Sequence, residues 1–134
     1  MVYVAQEHEY GCAVACVATI LNTTYYDAFN LFSEKANAAG VGFYCRDIIS
    51  AFERAERRYL YYYIKPHKRK LIYNDETIVY VKKGHKYPAG HYLVRKDGVW
   101  IDPWINFPAF PVKAGVRKRL PEVPIYALQP QKNR

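Results

Sequence analysis

The stretch of residues 13–21 constrains the fold more than any other part of the chain, because it is apolar nearly all round. A helix without a polar face must be buried, so residues 12–22 are predicted to form the central helix of the core. Cys12 stands at the mouth of this helix, where backbone N–H groups lack partners and the helix dipole is positive. Both effects favour the thiolate, which is the nucleophilic form of cysteine. Gln6, six residues earlier, can turn its amide toward the sulfur as a donor to an oxyanion.

A predicted β-hairpin supplies a histidine and a carboxylate. Asp97-Gly98 stands between two β-rich runs, and this dipeptide favours a two-residue hairpin turn. The turn pairs Lys96 with Val99, so His91 and Asp102 become diagonal neighbours on one face, roughly 7–8 Å apart at the backbone. An imidazole and a carboxylate can meet across that distance. Because Asp97 lies in the turn itself, Asp102 is the predicted partner of His91.

These residues resemble, in order and spacing, those of the double-glycine leader peptidases, which are papain-like cysteine peptidases that process bacteriocin precursors. The resemblance covers nearly the whole chain and is carried by Gln6, Gly11-Cys12, Ala15-Cys16, Gly90-His91-Tyr92 and Asp102-Pro103. It implies a papain-like fold in a bacterial or phage protein. It also implies a catalytic set in which Cys12 attacks, His91 is the base, Asp102 orients the base and Gln6 supplies the oxyanion hole. The chain departs from the family at Gly11, where the family usually has aspartate.

The cysteines also admit structural interpretations. A lone cysteine such as Cys12 is more often a small buried apolar residue, but Gln6 and His91 together favour the nucleophile. Cys16, one turn deeper on the same helix, is predicted to pack in the core, and Cys45 is predicted to be structural or incidental. Three cysteines do not make a disulfide framework, and their spacing with the histidines matches no zinc pattern. No metal and no cofactor are therefore predicted.

Helical and alternating apolar patterns predict helices first and antiparallel strands afterwards, which is the α+β class. The expected arrangement has N-terminal helices packed on a C-terminal antiparallel sheet within a single domain, residues 1–134. Helices are predicted at residues 12–22, 26–37 and 47–58, and strands at residues 60–64, 77–82, 91–96, 99–102 and 125–128.

The charge and the apolar runs limit location and partners. Neither a signal-peptide pattern nor an apolar run of membrane-spanning length is found, which predicts a cytoplasmic location and no membrane span. The formal charge of +8 comes largely from basic runs such as Lys68-Arg69-Lys70 and Arg117-Lys118-Arg119. Such runs indicate solvated loops or a surface for an acidic partner. No nucleic-acid-binding module accompanies them, so nucleic acid is not a predicted partner.

The sequence thus predicts a cysteine hydrolase, and a peptidase acting on a peptide or protein substrate is favoured. The same site supports amidase, isopeptidase and acyl-transfer chemistry. Two other interpretations stay open. A toxin or effector could use this site on a target in another cell, which the small size and positive charge allow. A catalytically idle papain-like binding module is also possible, although every expected catalytic residue type is present.

Overall fold

The structure, a computed structural model, describes residues 3–131 and has the predicted α+β class. The helices precede the sheet along the chain, and they are α1 (Cys12–Leu21), α2 (Tyr25–Phe29), α3 (Asn37–Gly40) and α4 (Cys45–Arg54). A 3-10 helix follows the first strand at Pro66–Tyr73. The strands are β1 (Tyr59–Tyr63), β2 (Ile78–Val81), β3 (His91–Lys96), β4 (Val99–Asp102), β5 (Gly115–Arg117) and β6 (Pro124–Pro130).

The six strands form one antiparallel sheet in the order β1-β6-β2-β3-β4-β5. β6, the last strand of the described residues, lies between β1 and β2, so it is an interior strand of the sheet. β3 and β4 form the predicted hairpin, with Lys96 paired to Val99. Asp97 and Gly98 both have positive φ, +52° and +81°, as a two-residue turn of this twist requires. The predicted bounds of these two strands are confirmed.

α1 is the buried centre of the core, as its composition predicts. Its side chains pack against α2, α4 and β3, and residues 13–18 are wholly buried. The helix ends where Asn22 adopts a left-handed conformation and its N–H bonds back to the last turn. Because α1 runs against β3, its first residue lies beside the start of the strand that carries His91.

The opposite face of the sheet is covered as well, which the sequence did not predict. Ile72 of the 3-10 helix packs on a second apolar cluster that includes Leu93 and Trp100. Arg95 lies over the Trp100 ring, 5.1 Å from its centroid. With cover on both faces, β3 is buried along its first four residues and does not alternate between buried and exposed positions.

The second predicted helix, residues 26–37, is wrong in extent. α2 ends at Phe29, and the chain becomes helical again only at Asn37. In between, the Leu31 carbonyl accepts from the Arg54 guanidinium at 2.6 Å, and the Phe32 carbonyl accepts from a lysine ammonium at 2.9 Å. These side-chain donors take the place of the helical N–H groups, so the backbone satisfies its carbonyls without continuing the helix.

The third predicted helix, residues 47–58, begins and ends too late. The Tyr44 N–H donates to the Asp47 carboxylate at 2.8 Å, so the cap sets the helix start at Cys45. Glu56 has a positive φ of 60° just beyond the last helical residue, Arg54, and terminates the helix there. β5 and the 3-10 helix were not predicted. Within residues 3–131, no helix combines the length and apolar character that a membrane crossing requires.

Candidate active site

Cys12 is the first residue of α1 and is partly exposed, whereas Cys16 on the next turn is wholly buried. No side chain within the described part of the chain caps the helix at Gly11. The N–H groups of the first turn therefore have no side-chain partner at the N-cap, and the positive end of the helix dipole lies beside Cys12. This is the placement that a helix-borne nucleophile needs.

His91 and Asp102 form a buried pair. The Nε2 atom of His91 lies 2.7 Å from Oδ1 of Asp102, and the two residues are 3% and 0% exposed. Because Asp102 engages Nε2, the other ring nitrogen, Nδ1, is the one left for Cys12. Burial lowers the pKa of the imidazole, but the electrostatic influence of Cys12 and the hydrogen bond with Asp102 outweigh it and raise the pKa of His91 to about 9. At neutral pH the ring then carries its proton.

The Asp102 carboxylate accepts hydrogen bonds from three further groups. Oδ1 also accepts from the backbone N–H of Trp104 at 2.9 Å. Oδ2 accepts from the Tyr87 hydroxyl at 2.7 Å and from Nε of Arg117 at 2.7 Å. Burial raises the pKa of Asp102, but the bonds from His91, Arg117 and Tyr87 outweigh burial and hold that pKa well below its usual range. The carboxylate is therefore ionised at neutral pH.

Tyr87 covers one face of the imidazole. Its ring is stacked on that of His91, with centroids 3.7 Å apart and planes inclined by 8°. Its hydroxyl lies 2.7 Å from both the Asp102 carboxylate and the Trp104 carbonyl oxygen, and these contacts fix the position of the tyrosine ring. Tyr87 is itself buried. The stack keeps water from that face of His91 and fixes the plane in which the imidazole lies.

Gln6 is buried, and both hydrogens of its amide are in use. Its Nε2 donates to the carbonyl oxygens of His8 at 3.0 Å and Glu9 at 2.9 Å. Its backbone N–H donates to the Pro103 carbonyl, which ties the loop before Cys12 to the residue after Asp102. Within residues 3–131, no group donates a hydrogen bond to Oε1. The side chain thus shapes this loop, and its oxyanion role stays a prediction that requires one amide hydrogen to be released.

The same loop is packed tightly at Gly11. The Tyr25 hydroxyl lies 2.8 Å from Nδ1 of His8, whose ring stacks on Phe29 at 4.9 Å between centroids. A Cβ atom at Gly11 would overlap that hydroxyl. A residue with a side chain therefore does not fit before Cys12 unless Tyr25 moves, which gives a physical reason for the glycine found here.

Sequence reasoning missed Tyr87 and Arg117. Each is separated from Asp102 by 15 residues, on opposite sides, and neither belongs to a motif. Arg117 lies in the run Arg117-Lys118-Arg119, which the sequence assigned to solvent or to a partner surface. In the structure its side chain is only 21% exposed, and its guanidinium contacts Asp102. A predicted strand at residues 115–117, paired with β4, would have indicated that Arg117 lies close to Asp102.

Comparison of the chain with protein-family models, with curated proteins and with solved structures found no match. Among residues 3–131, no three histidine, cysteine or acidic side chains are grouped so that they could hold a metal ion. The arrangement offers a helix-borne thiol and a buried imidazole with a fixed carboxylate partner. Such a set can carry out nucleophilic attack with general acid–base assistance.

Proposed function

We propose that this protein is a papain-like cysteine hydrolase, with peptidase as the favoured activity. The observation that carries the proposal is the buried His91–Asp102 pair, 2.7 Å between Nε2 and Oδ1, beside the helix that begins with Cys12. Cys12 contributes to the raised pKa of His91, which supports a placement of the two side chains close enough to act together. A nucleophile helix packed against an antiparallel sheet that carries the histidine is the arrangement expected of a papain-like fold, and it supports that assignment.

The reaction follows from the proton positions. With its proton on His91, the Cys12 thiolate attacks the carbonyl carbon of the scissile bond. The backbone N–H of Cys12 receives the oxyanion, and Gln6 joins it if its amide releases the His8 or Glu9 carbonyl. His91 then donates its proton to the leaving amine, which leaves an acyl-enzyme. A water molecule, deprotonated by His91, releases the acyl group and restores the thiolate.

Asp102 has two tasks in this scheme. Its Oδ1 accepts from Nε2, so Nδ1 is directed toward Cys12 and the ring cannot rotate away. Its negative charge stabilises the imidazolium during attack. A peptide or protein is the proposed substrate because of the resemblance to leader peptidases. Amides and isopeptides would form the same acyl-enzyme, and an acyl acceptor could take the place of water in its breakdown, so these groups do not by themselves fix the scissile bond.

Alkylation with mass-spectrometric site mapping tests the proposal without knowledge of the substrate. Iodoacetamide at neutral pH is expected to modify Cys12 in the folded protein while Cys16 and Cys45 stay unmodified. In urea all three are expected to react, which shows that the reagent reports on each site. His91→Asn, with its fold checked by circular dichroism, is the matched variant, and it is expected to slow Cys12 modification by about tenfold or more. A folded wild type with unreactive Cys12, or a His91→Asn rate equal to wild type, would favour the idle binding module.

A further inference from the structure

The Arg117 guanidinium is brought to the site by a strand of only three residues. β5 pairs with β4 so that Arg117 lies opposite Trp100, two residues before Asp102. Its Nε donates to Oδ2 of Asp102 at 2.7 Å, and its Nη2 lies 3.5 Å from the Tyr87 hydroxyl. The side chain is 21% exposed. Arg117 thus contacts Asp102 on the carboxylate oxygen that His91 does not use.

A buried carboxylate next to an imidazole has two opposing effects. It orients the ring, which favours catalysis. Its charge also stabilises the imidazolium, and an uncompensated carboxylate beside a ring as buried as His91 would hold the proton too firmly for transfer to a leaving amine. A cation on the far oxygen of Asp102 offsets that charge and leaves the orienting hydrogen bond in place.

We propose that Arg117 is a positioning residue that shares the Asp102 carboxylate with His91, so that Asp102 orients the imidazole while its charge is balanced. The inference rests on the proposed function. The charges then alternate along the row: the Cys12 thiolate is negative, the His91 imidazolium positive, the Asp102 carboxylate negative and the Arg117 guanidinium positive. Their sum is zero.

The groups that face the His91–Asp102 pair come from several elements. Cys12 and Cys16 face it from α1, where burial above all, and also the charges of Cys12 and Asp102, raise the pKa of Cys16. Tyr87 faces it from the segment before β3, and the Trp104 N–H faces it from the segment after β4. Apart from His91 itself, Arg117 is the group among these that carries a positive charge. Removal of its charge should therefore act on His91 through Asp102.

The test measures the titration of the His91 imidazole by NMR, together with the pH dependence of Cys12 alkylation. Arg117→Gln is expected to raise the pKa of His91 by about one unit relative to wild type, because the carboxylate is then uncompensated. Arg117→Lys keeps a cation and is expected to stay closer to wild type than Arg117→Gln. Arg119→Gln is the matched control, since it removes the same charge two residues further on from an exposed position. It is expected to leave the titration unchanged.

The Asp102 variants complete the design. Asp102→Asn is expected to lower the pKa of His91, because Arg117 then faces a neutral amide. In the double variant Asp102→Asn/Arg117→Gln, the pKa of His91 is expected to lie between its values in the two single variants. If Arg117→Gln leaves the His91 titration where it is and only lowers stability, Arg117 is structural and the inference is wrong. If the shifts occur but Cys12 stays unreactive in the wild type, the charge balance holds and the proposed hydrolase activity fails.

Discussion

Gly11→Ala tests whether the loop before Cys12 is packed as tightly as the structure indicates. The backbone at Gly11, φ −93° and ψ 17°, is accessible to alanine, so no penalty arises from the main chain. The new methyl group would overlap the Tyr25 hydroxyl oxygen and lie 3.1 Å from Cζ of that ring and 3.2 Å from the His8 carbonyl oxygen. The expected cost is therefore steric.

The size of that cost depends on whether Tyr25 can move. Tyr25 is 3% exposed, its hydroxyl is 2.8 Å from Nδ1 of His8, and its ring packs beside Phe29. Overpacking of such a site costs about 1–3 kcal/mol. Tyr25→Phe removes the overlapping oxygen but also removes the contact with His8, which costs about 0.5–1.5 kcal/mol. The double variant should be more stable than the sum of the single losses predicts, by about 1 kcal/mol or more.

Urea unfolding followed by circular dichroism on the four proteins measures this coupling. Gly40→Ala is the control, since a Cβ atom there meets no atom within 4 Å, and it is expected to change stability little. Cys12 alkylation should slow in Gly11→Ala and recover in part in the double variant, because the displaced loop adjoins the nucleophile. Losses at Gly11 and Tyr25 that add within about 0.5 kcal/mol would refute the packing argument.

Four further predictions concern the site itself. Iodoacetamide at pH 7 should modify Cys12 faster than Cys16 or Cys45, because burial raises the pKa of Cys45 to about 11 and that of Cys16 well above its usual value; equal rates would contradict the assignment. Turnover should fall as pH rises through about 9, since His91 has a raised pKa and is protonated below that value; a profile flat to pH 10.5 would count against the ion pair. Gln6→Ala should lose about 1–3 kcal/mol in urea unfolding, since two hydrogen bonds to backbone carbonyls are lost, and turnover should also fall; unchanged stability would contradict the loop role. Cys12→Ser should abolish turnover and change the free energy of unfolding by well under about 1 kcal/mol. Cys16→Ser should instead lower the free energy of unfolding by about 1–3 kcal/mol, because Cys16 is buried, and leave the folded fraction active. Melting curves and turnover on both variants check this, and turnover lost in a well-folded Cys16→Ser but kept in Cys12→Ser would contradict it.

The parts of the fold that could be predicted are those with local signals. α1 is apolar on every side, and the Asp97-Gly98 turn sets the register of the hairpin on its own. That register alone brings His91 close to Asp102. The helix that begins with Cys12 and the hairpin that carries His91 were therefore within reach of sequence reasoning, since each depends on residues near one another in the chain.

The parts that failed depend on distant side chains. The break after α2 is maintained by Arg54, which lies on another helix and takes up the Leu31 carbonyl. No pattern within residues 26–37 contains that information. The orientation of Gln6 was equally hard to predict from the sequence. Its residue type fits an oxyanion donor, but its two amide hydrogens already bond to two loop carbonyls. Its side chain is also buried, which the residue type alone does not indicate.

Arg117 illustrates why charge composition could not find the rest of the site. A formal count gives Arg117 and Arg119 the same weight, but β5 carries one of them to a buried carboxylate and leaves the other exposed. The hydrogen bond from Arg117 helps to keep Asp102 ionised. In the proposed charge balance, the positive charge of Arg117 also offsets the hold that Asp102 has on the His91 proton. The hairpin thus supplies the geometry of the His–Asp pair from local sequence, whereas its protonation depends on a strand beyond the hairpin. A substitution of Arg117 in β5 should therefore change the protonation of the His91–Asp102 pair while the geometry of the pair is kept.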